Sequence, residues 1–209
     1  MRIALIHALR HSPPPIEAAF RAVWPTPQLM NLLDDSLSAD LARDGVLTDA
    51  MTARFIALAR YAVGTGAAGI LFTCSAFGPC IDAVKREFPA IPVLKPNEAM
   101  IEEAGEAGGT IGLMATFAPT LASMPPEFPS SIRLVPKLVG GALAALDRGD
   151  VATHDRLAIE AAGTLKDCDA IALAQFSLAR AAEGIATVTG LKVLTTPESA
   201  VRKLRRLLA

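Results

Sequence analysis

The residue in this sequence best suited to chemistry is Cys74, which ends an apolar segment and precedes Gly78-Pro79, a pattern typical of a helix start. A thiol held near the N–H groups that open a helix has its thiolate favoured, and the thiolate is the reactive form of cysteine. The neighbouring Thr73 and Ser75 are suited to holding a substrate carboxylate. The alternative interpretation is that Cys74 is a small buried hydrophobic residue, as most unpaired cysteines are.

Other candidate site residues also lie just beyond predicted strands, where ligands gather in open parallel sheets. His7 is either a base or proton carrier for Cys74, a substrate-binding group, or a structural histidine at a strand end. Phe117 and Phe176 are either walls of an apolar pocket or core residues, whereas His154 is expected at the surface. The polar candidates in the second half of the chain are Thr116, Gln175 and Ser177.

The elements that must position these residues are short apolar strands separated by Ala-rich helical stretches. Strands that are apolar without alternation are covered on both faces, which is typical of a parallel sheet in an α/β fold. Helical periodicity over Thr48–Val63, with Thr48 as the N-cap and Gly64 as the stop, predicts one of the intervening helices. The predicted strands are Ile3–Ile6, Leu29–Leu33, Ala68–Thr73, Pro92–Leu94, Thr110–Met114, Ile132–Val135, Ala170–Ala174 and Lys192–Leu194.

An internal repeat refines this α/β prediction. Ile3–His7 resembles Ile111–Ala115 and Ala68–Cys74 resembles Asp169–Gln175, in the same order and about 100 residues further along the chain. We therefore expect two pseudosymmetric lobes, each a mainly parallel sheet flanked by helices, with the active site in the cleft between them. The expected first lobe comprises residues 1–97 and 191–209, and the second comprises residues 98–190.

Composition excludes several other classes of protein. The chain has 209 residues, 52% of them hydrophobic and 20% charged, with a net charge of -1, so it is neither disordered nor built around nucleic acid. Three cysteines make no disulfide framework and suggest a reducing compartment. No apolar run reaches the length of a signal-peptide core or a membrane span, so we expect a cytoplasmic protein with no membrane partner.

These segments resemble the aspartate/glutamate/hydantoin racemase superfamily over nearly the whole chain. The resemblance implies two α/β lobes, an isomerase of the amino-acid racemase type, a small carboxylate substrate and a homo-oligomer. It also implies that the enzyme uses neither a metal nor an organic cofactor. The segments that carry it are Leu71–Ser75, Ile111–Thr116, Leu173–Gln175 and Pro197–Val201.

One departure from the family pattern limits the chemistry. Racemases of this family use two cysteines on opposite sides of the substrate's α-carbon, whereas here Cys74 occupies the first position and Gln175 the second. An amide does not titrate near neutral pH, so ordinary two-base racemisation lacks one of its groups. One-thiolate reactions stay open: a lyase or decarboxylase that protonates one face, or an isomerase whose sulfur adds covalently to a double bond, as in the related arylmalonate decarboxylases and maleate isomerases.

The resulting hypothesis is a cofactor-independent enzyme that acts on a small carboxylate or amino-acid-like compound through the thiolate of Cys74. Negative charge that develops on the substrate is expected to be received by Ser75, Thr116 and Ser177. The alternative is a non-catalytic small-molecule binding protein on the same scaffold. A Cys74 pKa well below about 8.5, the value for a free thiol, would favour the enzyme.

Overall fold

The computed structural model describes residues 1–209, which divide into two compact units. The first unit comprises Met1–Pro96 and Pro197–Ala209, and the second comprises Asn97–Thr196. Each unit is built on one four-stranded parallel sheet flanked by helices, so the α/β prediction is confirmed. None of the helices combines the length and the apolar character that a bilayer-spanning segment requires.

In the first unit the sheet order is β2-β1-β3-β4, with β1 and β3 at its centre. Strands β1 and β3 are almost wholly buried because helices cover both faces of the sheet, as the unbroken apolar runs predict. The strands are β1 (Arg2–His7), β2 (Gln28–Leu33), β3 (Ala67–Phe72) and β4 (Val93–Leu94). The helices are α1 (Pro13–Val23), α2 (Ser36–Asp44), α3 (Asp49–Gly64) and α4 (Gly78–Glu87), with α10 (Thr196–Leu208) returning from the end of the chain.

Helix α3 shows how local sequence places an element beside Cys74. The Thr48 side chain accepts a hydrogen bond from the Met51 amide at 3.2 Å, which confirms the predicted N-cap. Phe55 on its buried face stacks against Phe72 of β3 at 5.2 Å between ring centroids and makes a tilted contact with Phe77 at 4.9 Å. Burial of a phenylalanine side chain stabilises a fold by roughly 1.5–3 kcal/mol, so these rings fix the chain on both sides of Cys74.

In the second unit the sheet order is β6-β5-β7-β8. Alternate residues of β7 enter different apolar clusters, with Ala170 and Ala172 on one face and Ile171 and Leu173 on the other. The strands are β5 (Thr110–Ala115), β6 (Arg133–Leu138), β7 (Ala170–Leu173) and β8 (Lys192–Thr195). The helices are α5 (Glu98–Ala107), α6 (Ala118–Ser123), α7 (Ala142–Asp147), α8 (Val151–Ala162) and α9 (Ala182–Thr189).

The two sheets repeat one topology, as the internal sequence repeat predicts. Ile6 of β1 pairs with Phe72 of β3, and the corresponding Met114 of β5 pairs with Leu173 of β7. Cys74 and Gln175 each lie two residues beyond the paired position on β3 and β7. They therefore hold corresponding places in the two sheets.

Two predictions differ from the structure. Strand β8 pairs with β7, so the last strand belongs to the second unit and only helix α10 joins the first, because the free edge of β7 supplies its hydrogen bonds. The boundary expected at 190/191 therefore lies at Thr196/Pro197. The expectation of an exposed His154 is wrong, since this residue is fully buried on the inner face of α8 and its Nδ1 lies 2.8 Å from Asp155 Oδ1.

Candidate functional site

Cys74 lies at the carboxyl end of the sheet in the first unit. The Thr73 amide still donates to the Ile6 carbonyl at 3.0 Å, so the chain leaves the sheet at Cys74 itself. A 3-10 turn follows, and α4 then begins at Gly78 with Pro79 in its first turn, as predicted. Proline suits this position because its fixed φ matches a helix and its missing N–H has no intrahelical partner there.

The sulfur of Cys74 is enclosed and has two hydrogen-bond partners. Cys74 is 6% exposed, and its sulfur accepts a hydrogen bond from the Ala76 amide and is hydrogen-bonded to the Ser38 hydroxyl. Ser38 donates its own hydrogen to the Ala8 carbonyl at 2.7 Å.

Burial raises the pKa of the Cys74 thiol to about 11, and the hydrogen bonds from Ala76 and with Ser38 lower it by less. This direction is opposite to the sequence-based expectation of a stabilised thiolate, so it counts against an enzyme that begins from the thiolate and leaves open one that begins from the neutral thiol. The contacts with one amide and one hydroxyl do not replace the water that an ionised sulfur loses on burial. Cys74 is therefore a neutral thiol at neutral pH.

Sequence reasoning missed Ser38 as a partner of Cys74. Ser38 lies on the buried face of α2 together with Leu37 and Leu41. A serine on an otherwise apolar helical stripe was the available signal, because a buried hydroxyl requires a partner. Which partner it finds depends on the packing of α2 beside the strand ends.

His7, the last residue of β1, is buried and uses both ring nitrogens within the protein. Its Nε2 lies 2.9 Å from Asn31 Oδ1, and Asn31 Nδ2 donates to Glu17 Oε1 at 2.8 Å. Since a carboxylate only accepts, the amide oxygen of Asn31 faces the ring and Nε2 carries the hydrogen. Nδ1 then accepts the hydrogen of the Thr73 hydroxyl at 2.7 Å.

Burial lowers the pKa of His7, and the hydrogen bond with Asn31 and the charge of Glu17 raise it by less. The ring is neutral at neutral pH and orients the Thr73 hydroxyl. Among the interpretations left open by the sequence, this geometry favours a structural histidine that positions Thr73 over a base for Cys74. Ser75 is buried in the turn directly after the cysteine.

An arginine cluster holds the loop that leads into α2. Arg54 contacts Asp34 Oδ2 at 2.5 Å and Asp40 Oδ2 at 2.7 Å, and it also donates to Ser36. Burial raises the pKa of Asp34, but hydrogen bonds from Ser36 and Arg54 outweigh this effect, so the pKa lies below its ordinary value. These contacts fix the start of the helix that carries Ser38.

In the second unit, Thr116 follows β5 and Gln175 lies two residues beyond β7. The Thr116 amide donates to Gln175 Oε1 at 2.5 Å, and the Thr116 hydroxyl approaches the same oxygen at 2.9 Å. The Ala174 amide donates to the Met114 carbonyl at 2.9 Å, which continues the sheet up to the glutamine. The Thr116 hydroxyl, expected to receive substrate charge, is thus committed to Gln175.

The other three candidates of the second unit differ in accessibility. Phe176 is 1% exposed, which favours the core interpretation, whereas Phe117 is half-buried ahead of α6. Ser177 lies in the 3-10 turn Phe176–Ala181 and is 6% exposed. The carboxyl end of each sheet thus gathers its own set of the predicted residues. His7, Thr73, Cys74 and Ser75 belong to the first unit, and Thr116, Phe117, Gln175, Phe176 and Ser177 belong to the second.

Two sheets of the same order, with candidate polar residues at their carboxyl ends, define a duplicated α/β fold. No protein-family model matches the chain, and no curated protein matches its sequence. Solved structures of glutamate, allantoin and aspartate racemases and of an arylmalonate decarboxylase do match along the whole chain, and they share this two-lobed α/β fold, which the sequence resemblance implies.

Three of these structures illustrate the similarity. A glutamate racemase from Bacillus anthracis is 13% identical with a TM-score of 0.78, covering 99% of this chain and 80% of that one. An allantoin racemase from Klebsiella pneumoniae is 17% identical with a TM-score of 0.72, covering 100% and 87%. An arylmalonate decarboxylase is 18% identical with a TM-score of 0.68, covering 100% and 93%. At such identities the likeness establishes the fold alone.

Proposed function

We propose that this protein is a cofactor-independent enzyme that acts on a small carboxylate or amino-acid-like compound, with Cys74 transferring a proton at the carbon beside the carboxylate. The observation that carries the proposal is a buried thiol at the carboxyl end of a central strand, in contact with the Ala76 amide and the Ser38 hydroxyl. The likeness of the fold to racemases and a decarboxylase supports it.

In this proposal Cys74 begins the reaction as an acid. A thiol with a pKa of about 11 keeps its proton at neutral pH, yet it donates that proton readily to a carbanion or enediolate, which is far more basic. As the S–H bond breaks, a C–H bond forms on the substrate, and the Ala76 amide stabilises the sulfur anion that remains. Water then returns a proton to the sulfur.

A single proton donor favours a lyase. When a malonate-type substrate loses carbon dioxide, the electron pair of the broken C–C bond stays on the α-carbon, and Cys74 supplies the proton that this carbon takes up. Two-base racemisation needs a second titrating group, which Gln175 does not offer, and His7 is committed to Asn31 and Thr73.

An isomerase is the second candidate, favoured by the likeness to a glutamate racemase and an allantoin racemase. It requires that substrate binding ionise Cys74, since removal of an α-proton or addition to a double bond needs a thiolate. The two candidates therefore differ in the protonation state from which Cys74 begins the reaction.

Deuterium incorporation from heavy water distinguishes these functions. Substituted malonates, amino acids and hydantoins are incubated with the wild-type protein, with Cys74→Ala and with Cys168→Ala as the matched cysteine control. The lyase predicts a decarboxylated product with one deuterium at the α-carbon and one enantiomer in excess. Formation of this product should be lost in Cys74→Ala and kept in Cys168→Ala. Exchange of α-hydrogen in amino acids or hydantoins indicates the isomerase. Turnover that survives in Cys74→Ala, or binding without any turnover, would overturn the proposal in favour of another site or a binding protein.

A further inference from the structure

The side-chain amide of Gln175 is held in one orientation. A backbone N–H only donates, so the group that faces the Thr116 amide at 2.5 Å has to be the oxygen Oε1. The Thr116 hydroxyl, 2.9 Å away, adds a second hydrogen bond to the same oxygen. The acceptor of Gln175 is therefore occupied, and its nitrogen Nε2 is turned away from Thr116 with two N–H donors.

These donors have no hydrogen-bond partner in the protein, although Gln175 is only 7% exposed. The hydroxyl of Ser177, two residues later in the same turn, is equally enclosed and also lacks a partner. Neither group is fully sealed from solvent, so both stay open to a ligand that approaches from outside the protein. They lie at the carboxyl end of a parallel sheet, the edge at which such folds bind ligands.

We propose that Gln175 Nε2 and Ser177 Oγ form a subsite that binds a negatively charged oxygen of a small carboxylate, with Thr116 as its positioning residue. An amide nitrogen offers hydrogens and no acceptor, so it selects an electron-rich oxygen over a cation or an ammonium group. Gln175 thus acts as a fixed donor at the place where the family pattern has a second cysteine. The identity of the ligand as a carboxylate rests on the proposed function, whereas the orientation of the amide does not.

The composition of the chain makes the subsite directly observable. Its only glutamines are Gln28, exposed at the start of β2, and Gln175. Full-length protein labelled with 15N-glutamine therefore gives two pairs of side-chain amide signals, and Gln28 is the internal control. Titration with malonate is expected to shift the Gln175 pair saturably and leave the Gln28 pair in place, while neutral acetamide shifts neither.

Variants then test each group. Gln175→Glu keeps an oxygen for Thr116 but replaces the donor with a second anionic oxygen, so we expect malonate affinity to fall by about tenfold or more. Ser177→Ala removes one hydroxyl and is expected to weaken binding less. Thr116→Val removes only the hydroxyl that restrains Gln175. It is expected to weaken malonate binding while Gln175 still shows its titratable signal, an effect that lost stability alone would not produce.

The decisive contrary result is a Gln175 pair that moves no more than the Gln28 pair at every malonate concentration. This wild-type measurement stands even if a variant fails to fold. If the Gln175 signals do not shift but Cys74-dependent deuterium incorporation is still observed, only the subsite is overturned. A saturable Gln175 shift without any turnover keeps the subsite and overturns the proposed enzyme.

Discussion

The protonation state of Cys74 can be measured through its rate of alkylation. In a Cys80→Ala/Cys168→Ala background Cys74 is the only thiol, because the chain has three cysteines. With a pKa of about 11, close to 0.03% of the sulfur is ionised at pH 7.5, compared with about 10% for a free thiol of pKa about 8.5. The thiolate population alone therefore predicts alkylation about 300-fold slower than in the unfolded chain.

The shape of the pH profile separates ionisation from restricted access. Iodoacetamide labelling followed by intact mass is expected to accelerate tenfold per pH unit from pH 7 to 10 without a plateau, since the whole range lies below the pKa of Cys74. The same chain in denaturant should level off above about pH 8.5. A plateau below pH 9 in the folded protein would refute the reasoning, because restricted access lowers every rate without moving the midpoint.

The same pKa has a consequence for stability. Because the folded protein binds the thiol proton more tightly than the unfolded chain, this contribution to stability is fully present below the unfolded pKa and is lost as the pH rises towards 11. The rise from about 8.5 to about 11 corresponds to about 3 kcal/mol. Wild type should lose that much free energy of unfolding between pH 8 and pH 11 relative to Cys74→Ala, as measured by urea titration.

Three further predictions concern the groups around Cys74. Ser38→Ala leaves the Ala8 carbonyl without its donor, so we expect the free energy of unfolding, measured with urea, to fall by about 1–2 kcal/mol. The Cys74 pKa should rise further in this variant, whereas Ser38→Thr should keep both values. An unchanged alkylation profile in the alanine variant would count against this role of Ser38. Burial lowers the pKa of His7, so the contribution of its neutral ring to stability is present above about pH 6.5 and is lost as the pH falls below that value. In 15N spectra the ring should still show the Nε2–H tautomer below pH 6.5. A titration midpoint of the ring at or above pH 6.5 would contradict the lowered pKa. Arg54→Ala removes two partly exposed ion pairs and should lower stability by about 1 kcal/mol, against less than about 0.5 kcal/mol for the exposed Arg60→Ala; equal losses would show that the Arg54 cluster adds nothing.

Much of the fold could be predicted from the sequence because the relevant signals are local. Unbroken apolar runs mark strands buried on both faces, and all eight appear in the structure with shifted ends. Thr48 caps α3 with its own side chain, a contact that spans three residues. The repeat placed Cys74 and Gln175 at matching positions because both sheets use the same strand order and register.

Tertiary structure alone decided which partners the candidate site residues have and which charge states they adopt. Ser38 reaches Cys74 from helix α2, and Asn31 orients His7 from a neighbouring strand. Thr116 orients the Gln175 amide from the end of β5, the strand that pairs with β7. The direction of the Cys74 pKa depends on the total loss of water around the sulfur, to which several elements contribute. No short stretch of sequence contains that information, whereas the apolar run that forms a strand is visible in the strand's own residues.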